Sequence, residues 1–188
     1  KYSKLGLQPN IDTSEVIDRI IIQPGKGSNS FTKDDLAIMD VIASNFYDRP
    51  IYFAITCQSS KLLGLDNYVE MEGLGLRSSP TKVRIKSQLP SIYGFGDVDE
   101  NKVYDNVMTK WKWGNFDSLK LYVDKSYMAE VQAMKLVMLR AAIEFDRKGD
   151  PKRASEMANK YFTSFPDMNF PYDSGIMPFI NVLVNSKD

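Results

Sequence analysis

Glu70 and Glu72 are the two side chains whose type and spacing are suited to acid and base chemistry. They alternate within Tyr68–Leu74, a run with strand character, so a strand here would place both carboxylates on one face. Two carboxylates on one face can serve as general acid and general base when their surroundings separate their pKa values. Nothing in the neighbouring residues predicts such a separation, so a solvated strand face is the favoured interpretation.

Two other segments resemble ligand-binding loops, but each lacks a residue that the loop requires. The run that starts at Asp97 has the Asp-x-Asp-x-Asn opening of a calcium loop, but Lys102 replaces the turn glycine and Met108 the closing glutamate. Residues 24–28 carry two glycines and a lysine but lack the Gly-Lys-Ser/Thr ending of a phosphate loop. We therefore predict a helix cap and a turn at these places, with no metal and no cofactor.

The composition excludes several classes of function. Histidine is absent, which removes the commonest general base, the commonest zinc ligand and the usual catalytic triads. Cys57 is the single cysteine, so a disulfide framework is excluded and we predict a buried strand residue. The 24 basic and 24 acidic residues cancel, so we expect no nucleic-acid partner. Metal hydrolases and triad enzymes are therefore poor candidates.

The first half of the chain has the pattern of an α/β layer. Val16–Ile22 is predicted to be a strand that is buried on both faces, because its isoleucines are consecutive. Thr32 caps a helix that ends near Asn45, and Pro50 then leads into a central strand over Ile51–Thr56. Strand, helix and strand in this order predict a right-handed parallel crossover.

The second half of the chain is predicted to be helical. A helix from Glu100 to Trp113 follows the acidic cap, and a helical hairpin spans residues 125–166 with its turn at Gly149. The hairpin resembles one tetratricopeptide unit. Its first helix shows apolar residues at steps of three and four, at Tyr127, Val131, Met134 and Met138.

We therefore predict an α/β fold, with a mixed α+β arrangement as the alternative. Residues 1–120 form a small mixed sheet with a crossover helix and an N-terminal arm, and residues 121–188 form a hairpin packed on it with an irregular tail. The 188 residues, 43% hydrophobic, suffice for a sizeable core. No run of about 18 apolar residues occurs. The chain starts at Lys1 without an initiator methionine, so we expect a fragment of a longer protein.

An ordered succession of short motifs covers roughly residues 30–165 and resembles a known family. It is similar to the carboxy-terminal soluble region of bacterial multi-spanning membrane proteins of unknown function, which are related to the eukaryotic membrane-embedded protein O-mannosyltransferase of receptor ectodomains. The matching motifs are Asp35–Ile42 with Asn45, Arg49–Thr56, Gly64-Leu65 with Tyr68, Glu72-Gly73-Leu74, Arg77 with Pro80, Tyr104-Asp105-Asn106, Lys112–Asn115 and Tyr122-Val123-Asp124.

The resemblance implies a glycosyltransferase that uses a lipid-linked sugar and whose catalytic carboxylates lie outside this chain. We expect a non-catalytic accessory domain on the periplasmic face of a bacterial membrane, which positions the acceptor or shapes the rim of the active site. Its partners would be the membrane-spanning remainder of the polypeptide and an acceptor protein or glycan. The expected binding residues are Arg49, Tyr52, Glu72, Arg77, Tyr104 and Trp113.

Two other functions stay open at this point. A protein-binding adaptor would use the helical hairpin, and a soluble enzyme would use Glu70 and Glu72 as acid and base. For Arg49 we expect a carboxylate partner, either Glu72 or Asp105, because the planar guanidinium can bind a carboxylate through two hydrogen bonds. A solvent-facing turn arginine is the alternative.

Overall fold

The computed structural model describes residues 16, 19–22, 24, 29–46, 48–81, 94 and 96–186. These residues form a mixed α/β fold, as predicted, with a four-stranded sheet and five α-helices among them. The predicted N-terminal arm and most of the glycine-containing segment 24–28 lie outside this part of the chain. Two compact units are present, Lys1–Met71 with Gly75–Asp97 and Glu72–Leu74 with Val98–Asp188. We call them the sheet unit and the helical unit.

The first helix, α1, spans Lys33–Asn45 and is capped by Thr32, as predicted, and the structure shows that this cap is a capping box. The Thr32 hydroxyl accepts a hydrogen bond from the backbone N–H of Asp35, and the Asp35 carboxylate accepts one from the backbone N–H of Thr32. The Lys61 ammonium binds the carboxylates of Asp34 and Asp35. Ile42 is buried on the inner side of α1, whereas Leu36 is exposed.

The sheet is built from strands of two to four residues. Its members are β1 (Tyr52–Ala54), β2 (Val69–Met71), β3 (Gly75–Ser78) and β4 (Asp97–Val98), in the spatial order β1-β3-β2-β4. β3 pairs antiparallel with both β1 and β2. The sheet unit buries aliphatic side chains from the strands and the turns between them, among them Leu62, Leu65, Val69, Met71 and Leu76.

Several predictions for the sheet unit are wrong. Residues 19–22 have no regular secondary structure and Ile21 is 74% exposed, so the predicted buried strand and its parallel crossover are absent there. Val16 forms an isolated antiparallel bridge with Thr81. β1 is at the edge of the sheet, and Cys57 is half-buried in the bend after it. A run of apolar residues indicates a tendency to be buried, but whether the run forms a strand depends on a partner strand that is distant in sequence.

The helical unit starts with α2, Glu100–Asp105, which continues as a π-helical segment over Asn106–Lys110. The Asp99 carboxylate accepts a hydrogen bond from the backbone N–H of Lys102, so the acidic run caps a helix as predicted. The helix was predicted to continue to Trp113, but Trp111 already has extended backbone angles.

The predicted helical hairpin is confirmed. Helix α3 spans Met128–Arg147 and α4 spans Pro151–Ser164; Gly149 has a φ of 76° in the turn between them. In the stripe predicted for α3, Val131 and Met138 are buried, Met134 is half-buried and Tyr127 is 57% exposed. The C-terminal segment was predicted to be irregular, but it contains helix α5, Met177–Asn185, which packs on the hairpin.

Candidate functional site

Three of the predicted binding residues lie in the sheet unit. Tyr52 and Arg77 are direct partners in the register of β1 and β3; Tyr52 is half-exposed and Arg77 is buried. Arg77 also lies opposite Glu70 in β2, so opposite charges face each other across the two strands. Arg49 is exposed, and its backbone N–H donates to the carbonyl of Asn45 at the end of α1. This placement agrees with the alternative of a solvent-facing turn arginine.

Glu72, predicted to be solvated on the same strand face as Glu70, is buried in the helical unit. Strand β2 ends at Met71, so the predicted alternation does not continue to Glu72. The Glu72 carboxylate accepts a hydrogen bond from the Lys102 ammonium at 2.5 Å, and its carbonyl accepts one from the Asn106 side chain. Burial opposes the charge on Lys102, but its bonds to Glu72 and Asp99 outweigh burial and raise the pKa of this lysine.

Tyr104 on α2 is held by side chains of the hairpin. Its hydroxyl donates to the Glu156 carboxylate at 2.5 Å, and its ring meets the Phe145 ring edge to face at 5.9 Å. The hydrogen bond to Glu156, together with burial, raises the pKa of Tyr104. Arg153 lies over both rings, 4.7 Å from the centroid of Phe145. These contacts assign Tyr104 a structural role in joining α2 to the hairpin.

Trp113 lies in an apolar cleft of the helical unit. The extended backbone after α2 brings Trp111 and Trp113 together, with ring centroids 5.8 Å apart. The Trp113 ring also meets Phe165 of the hairpin at 5.5 Å, and the Lys160 ammonium lies 5.4 Å from its centroid. Both contacts hold the indole against α4.

The cleft has a volume of about 350 Å³, and we call it the Trp113 cleft. Its walls are mostly aromatic and aliphatic, and Lys112 and Glu130 are the two charged residues among those that line it. The lining residues are Lys112, Trp113, Gly114, Phe116, Tyr127, Glu130, Val131, Met134 and Phe165. An open apolar cleft with few polar groups is suited to an apolar side chain of a partner.

Sequence reasoning identified Trp113 as a binding residue and three further lining residues as an apolar stripe, but it did not predict that Phe116 and Phe165 complete this cleft. Phe116 follows a turn in which Gly114 and Asn115 have positive φ values of 59° and 63°. Phe165 is buried after α4, where its ring meets Phe170 at 5.1 Å. The aromatic residues after Pro166 were a signal that this segment packs back onto the hairpin, because aromatic side chains bury large areas.

The predicted site residues do not form one constellation within either unit. In the helical unit, Glu72 is bound by Lys102, Tyr104 by Glu156, and Trp113 by rings of the hairpin. Across the part of the chain that the structure describes, no group of three or more Cys, Asp or Glu side chains is arranged to hold a metal ion. The same residues contain no helix with the length and apolar character needed to cross a bilayer.

Comparison with known proteins identifies one family. Residues 2–102, just over half of the 188 residues, match the family described as TMEM260-associated domain 2. TMEM260 is a membrane protein, so the match relates this chain to a domain associated with a membrane protein. No curated protein and no solved structure matches the chain.

Proposed function

Since the chain belongs to the TMEM260-associated domain 2 family, we propose that it is a non-catalytic accessory domain of a membrane-embedded glycosyltransferase that uses a lipid-linked sugar. In this proposal the domain lies on the periplasmic face of the membrane, as part of a multi-spanning polypeptide, and positions the acceptor protein. Two observations support it: membership in a family associated with a membrane protein, and the sequence resemblance to the soluble region of such proteins.

The Trp113 cleft is the observation that supports acceptor binding. Tyr127 lines this cleft and is 57% exposed. Its ring can therefore contact a partner without repacking of the core. Exposed aromatic side chains that border an apolar cleft are typical of protein-binding surfaces, because they bury a large area with few rotatable bonds.

We assign the cleft to an apolar side chain of an acceptor polypeptide. A sugar would bring several hydroxyl groups, and each hydroxyl that is buried without a hydrogen-bond partner costs about 1–3 kcal/mol. The walls are mostly apolar, so they would satisfy few of those hydroxyls, whereas leucine or phenylalanine would lose no hydrogen bond on entering.

The test of this assignment is binding of acceptor peptides to the 188-residue chain, followed by tryptophan fluorescence. One peptide carries a serine or threonine flanked by leucine and phenylalanine, and its control carries asparagine at both flanking positions. We expect the apolar peptide to bind and the polar peptide to bind much more weakly. Equal binding of both, or binding of a methyl mannoside and of neither peptide, would contradict the assignment.

Tyr127→Ser and Tyr122→Ser form a matched pair of variants. Both tyrosines are exposed, but Tyr127 lines the cleft and Tyr122, 91% exposed, does not. Loss of an aromatic contact residue costs about 1–2 kcal/mol of binding energy, so Tyr127→Ser should weaken peptide binding by about 5- to 30-fold. Tyr122→Ser should leave the affinity unchanged.

The accessory role itself is tested by incubating the chain with lipid-linked mannose and an acceptor peptide. We expect no sugar transfer by the isolated chain. In the full-length polypeptide, Tyr127→Ser should raise KM for the acceptor while kcat stays constant, since the residue contributes to binding alone. Turnover by the isolated chain that is lost in Glu70→Ala or Glu72→Ala would instead support the soluble enzyme.

A further inference from the structure

The helical unit contains a second cavity, with a volume of about 210 Å³, which we call the Lys135 cavity. Its polar lining consists of Gln132, Lys135, Tyr161, Asn169 and Asp173, and its other walls are apolar. The cavity combines apolar walls with a few polar groups, as small-ligand sites commonly do. Neither the family match nor the proposed acceptor binding assigns a role to it.

Lys135 brings a largely buried positive charge to this cavity. Its side chain is 13% exposed, and the nearest carboxylate oxygen, on Asp173, lies 3.8 Å from the ammonium. Among the described residues no acceptor lies within hydrogen-bond distance of the Lys135 ammonium, although the Tyr161 ring centroid is 5.5 Å away. The ion pair with Asp173 is therefore longer than a hydrogen bond, so the ammonium keeps its donors for a ligand whose acceptor atoms can come closer.

Tyr161 brings a second donor. The residue is 4% exposed, and its ring stacks on Phe179 with centroids 4.2 Å apart. Among the described residues its hydroxyl has no hydrogen-bond partner. Burial, with smaller contributions from Tyr172 and Asp173, raises the pKa of Tyr161 to about 12, so the hydroxyl keeps its proton at neutral pH.

Asn169 and Asp173, which also line the cavity, already make hydrogen bonds within the protein. Asn169 accepts from the backbone N–H of Leu121 and donates to the carbonyls of Phe116 and Leu119. Asp173 is 73% exposed at its side chain and accepts from the backbone N–H of Gly175 at 2.8 Å. Among the described residues that line the cavity, donors on Lys135 and Tyr161 and on the exposed Gln132 make no hydrogen bond, and the cavity's own carboxylate, on the largely exposed Asp173, lies 3.8 Å from the Lys135 ammonium.

We propose that the Lys135 cavity binds an oxyanion, the carboxylate or phosphate group of a small molecule or of a protein segment. Lys135 forms the ion pair and the Tyr161 hydroxyl donates a second hydrogen bond to the same group. Oxyanions fit this arrangement because they offer several acceptor lone pairs and no obligatory donor. This inference does not depend on the proposed acceptor binding, although Val131 lines both cavities.

The test is calorimetric titration of the 188-residue chain with inorganic phosphate and, separately, with acetate, at constant ionic strength adjusted with chloride. We expect at least one of the two anions to bind at a single site. Phosphate binding alone would identify a phosphate-bearing ligand, and acetate binding alone a carboxylate. Absence of binding by both anions would overturn the proposal.

Lys135→Met and Lys152→Met are the matched variants, because Lys152 is exposed on α4 and lies outside the cavity. A hydrogen bond to a charged group is worth about 1.5–3 kcal/mol, so Lys135→Met should weaken anion binding by about 10- to 150-fold. Lys152→Met should bind as the unchanged chain does. Equal losses in both variants would show a non-specific effect of charge and overturn the proposal.

Tyr161→Phe keeps the ring on Phe179 and removes the hydroxyl, so it should weaken anion binding by about 2- to 10-fold.

The unchanged chain provides a readout that needs no variant: the backbone amide resonance of Gly175 should shift as the anion is added, since Gly175 lies beside Lys135. Binding without a shift at Gly175 would place the anion elsewhere. Tyr127→Ser should leave anion binding unchanged, which separates this site from the Trp113 cleft.

Discussion

The helical unit and the sheet unit bury their apolar residues by different means. The helical unit has α3 of 20 residues and α4 of 14 residues, and its rings form a chain of contacts from Trp113 through Phe165 to Phe170. The sheet unit has strands of two to four residues, connected by short helical turns and by glycines with positive φ. The helical unit thus buries aromatic rings between long helices, whereas the sheet unit buries aliphatic side chains between short strands and turns and brings the backbone close together at Gly96.

The charged groups of the two units also differ, because one is buried in the helical unit and the others lie near the surface of the sheet unit. Glu144 on α3 is fully buried, and its carboxylate accepts from the Arg147 guanidinium at 2.5 Å. In the sheet unit, Lys61 meets Asp34 and Asp35 near the surface, where solvent weakens ion pairs. Substitutions should therefore have larger effects at rings of the helical unit than at charges of the sheet unit.

The largest effect is expected at Phe165. Its ring is buried and contacts Trp113, Tyr161 and Phe170, so Phe165→Ala should lower the free energy of unfolding by about 3–5 kcal/mol. Phe162→Ala is the control, because Phe162 is one turn away and only half-buried, and its loss should be about half as large. Urea unfolding followed by tryptophan fluorescence measures both. Equal losses in the two variants would show that the burial of a ring does not determine its contribution to the stability of the helical unit.

An intermediate effect is expected at Gly96 in the sheet unit. A Cβ atom there would clash with the Val69 carbonyl and lie 2.9 Å from its side chain, whereas a Cβ at Gly64 would meet nothing within 4 Å. Both glycines have positive φ, so both changes to alanine cost about 1–2 kcal/mol of backbone strain. Overpacking adds about 1–3 kcal/mol for Gly96→Ala alone.

Amide hydrogen exchange at Leu76, which is buried in β3, measures these two losses within the sheet unit. Gly96→Ala should speed exchange more than Gly64→Ala does. If the two variants exchange alike, the close approach of residue 96 to β2 does not limit the stability of this unit, and the contrast with the helical unit loses its basis.

The smallest effect is expected at Asp35. Its hydrogen bonds to Lys61 and Thr32 lower the pKa of this carboxyl from 3.8 to about 2. A lowered folded-state pKa contributes stability that is fully present above about pH 4 and is lost as the pH falls toward 2. Asp35→Asn should therefore flatten the decline of stability in this range, and Asp40→Asn, exposed on α1, should not.

Carbon NMR of the Asp35 carboxyl group gives the midpoint directly, and denaturant unfolding between pH 5 and pH 2 gives the dependence of stability. A titration midpoint near the ordinary value would mean that the cap and the Lys61 pair do not form in solution. The sheet unit would then lack even this surface contribution, and its difference from the helical unit would increase.

The features that the sequence determined by itself are local. Thr32 predicts the N-terminal cap of α1 because a capping hydrogen bond lies within one helical turn, and Gly149 with Pro151 predicts the hairpin turn because both act on neighbouring residues. The spacing of Val131 and Met138 predicts the buried face of α3, since helical periodicity alone decides which residues share a face.

Tertiary structure decided the features that depend on residues far apart in the chain. Ile20–Ile22 is as apolar as a buried strand, but the antiparallel partners β1, β2 and β3 come from residues 52–78. Glu72 was predicted to be solvated, yet Lys102, 30 positions later, binds its carboxylate. The Trp113 cleft likewise combines α3 with residues 112–116 and Phe165, and the Lys135 cavity combines α3 with residues 169–176, because packing joins surfaces whose contact no local pattern records.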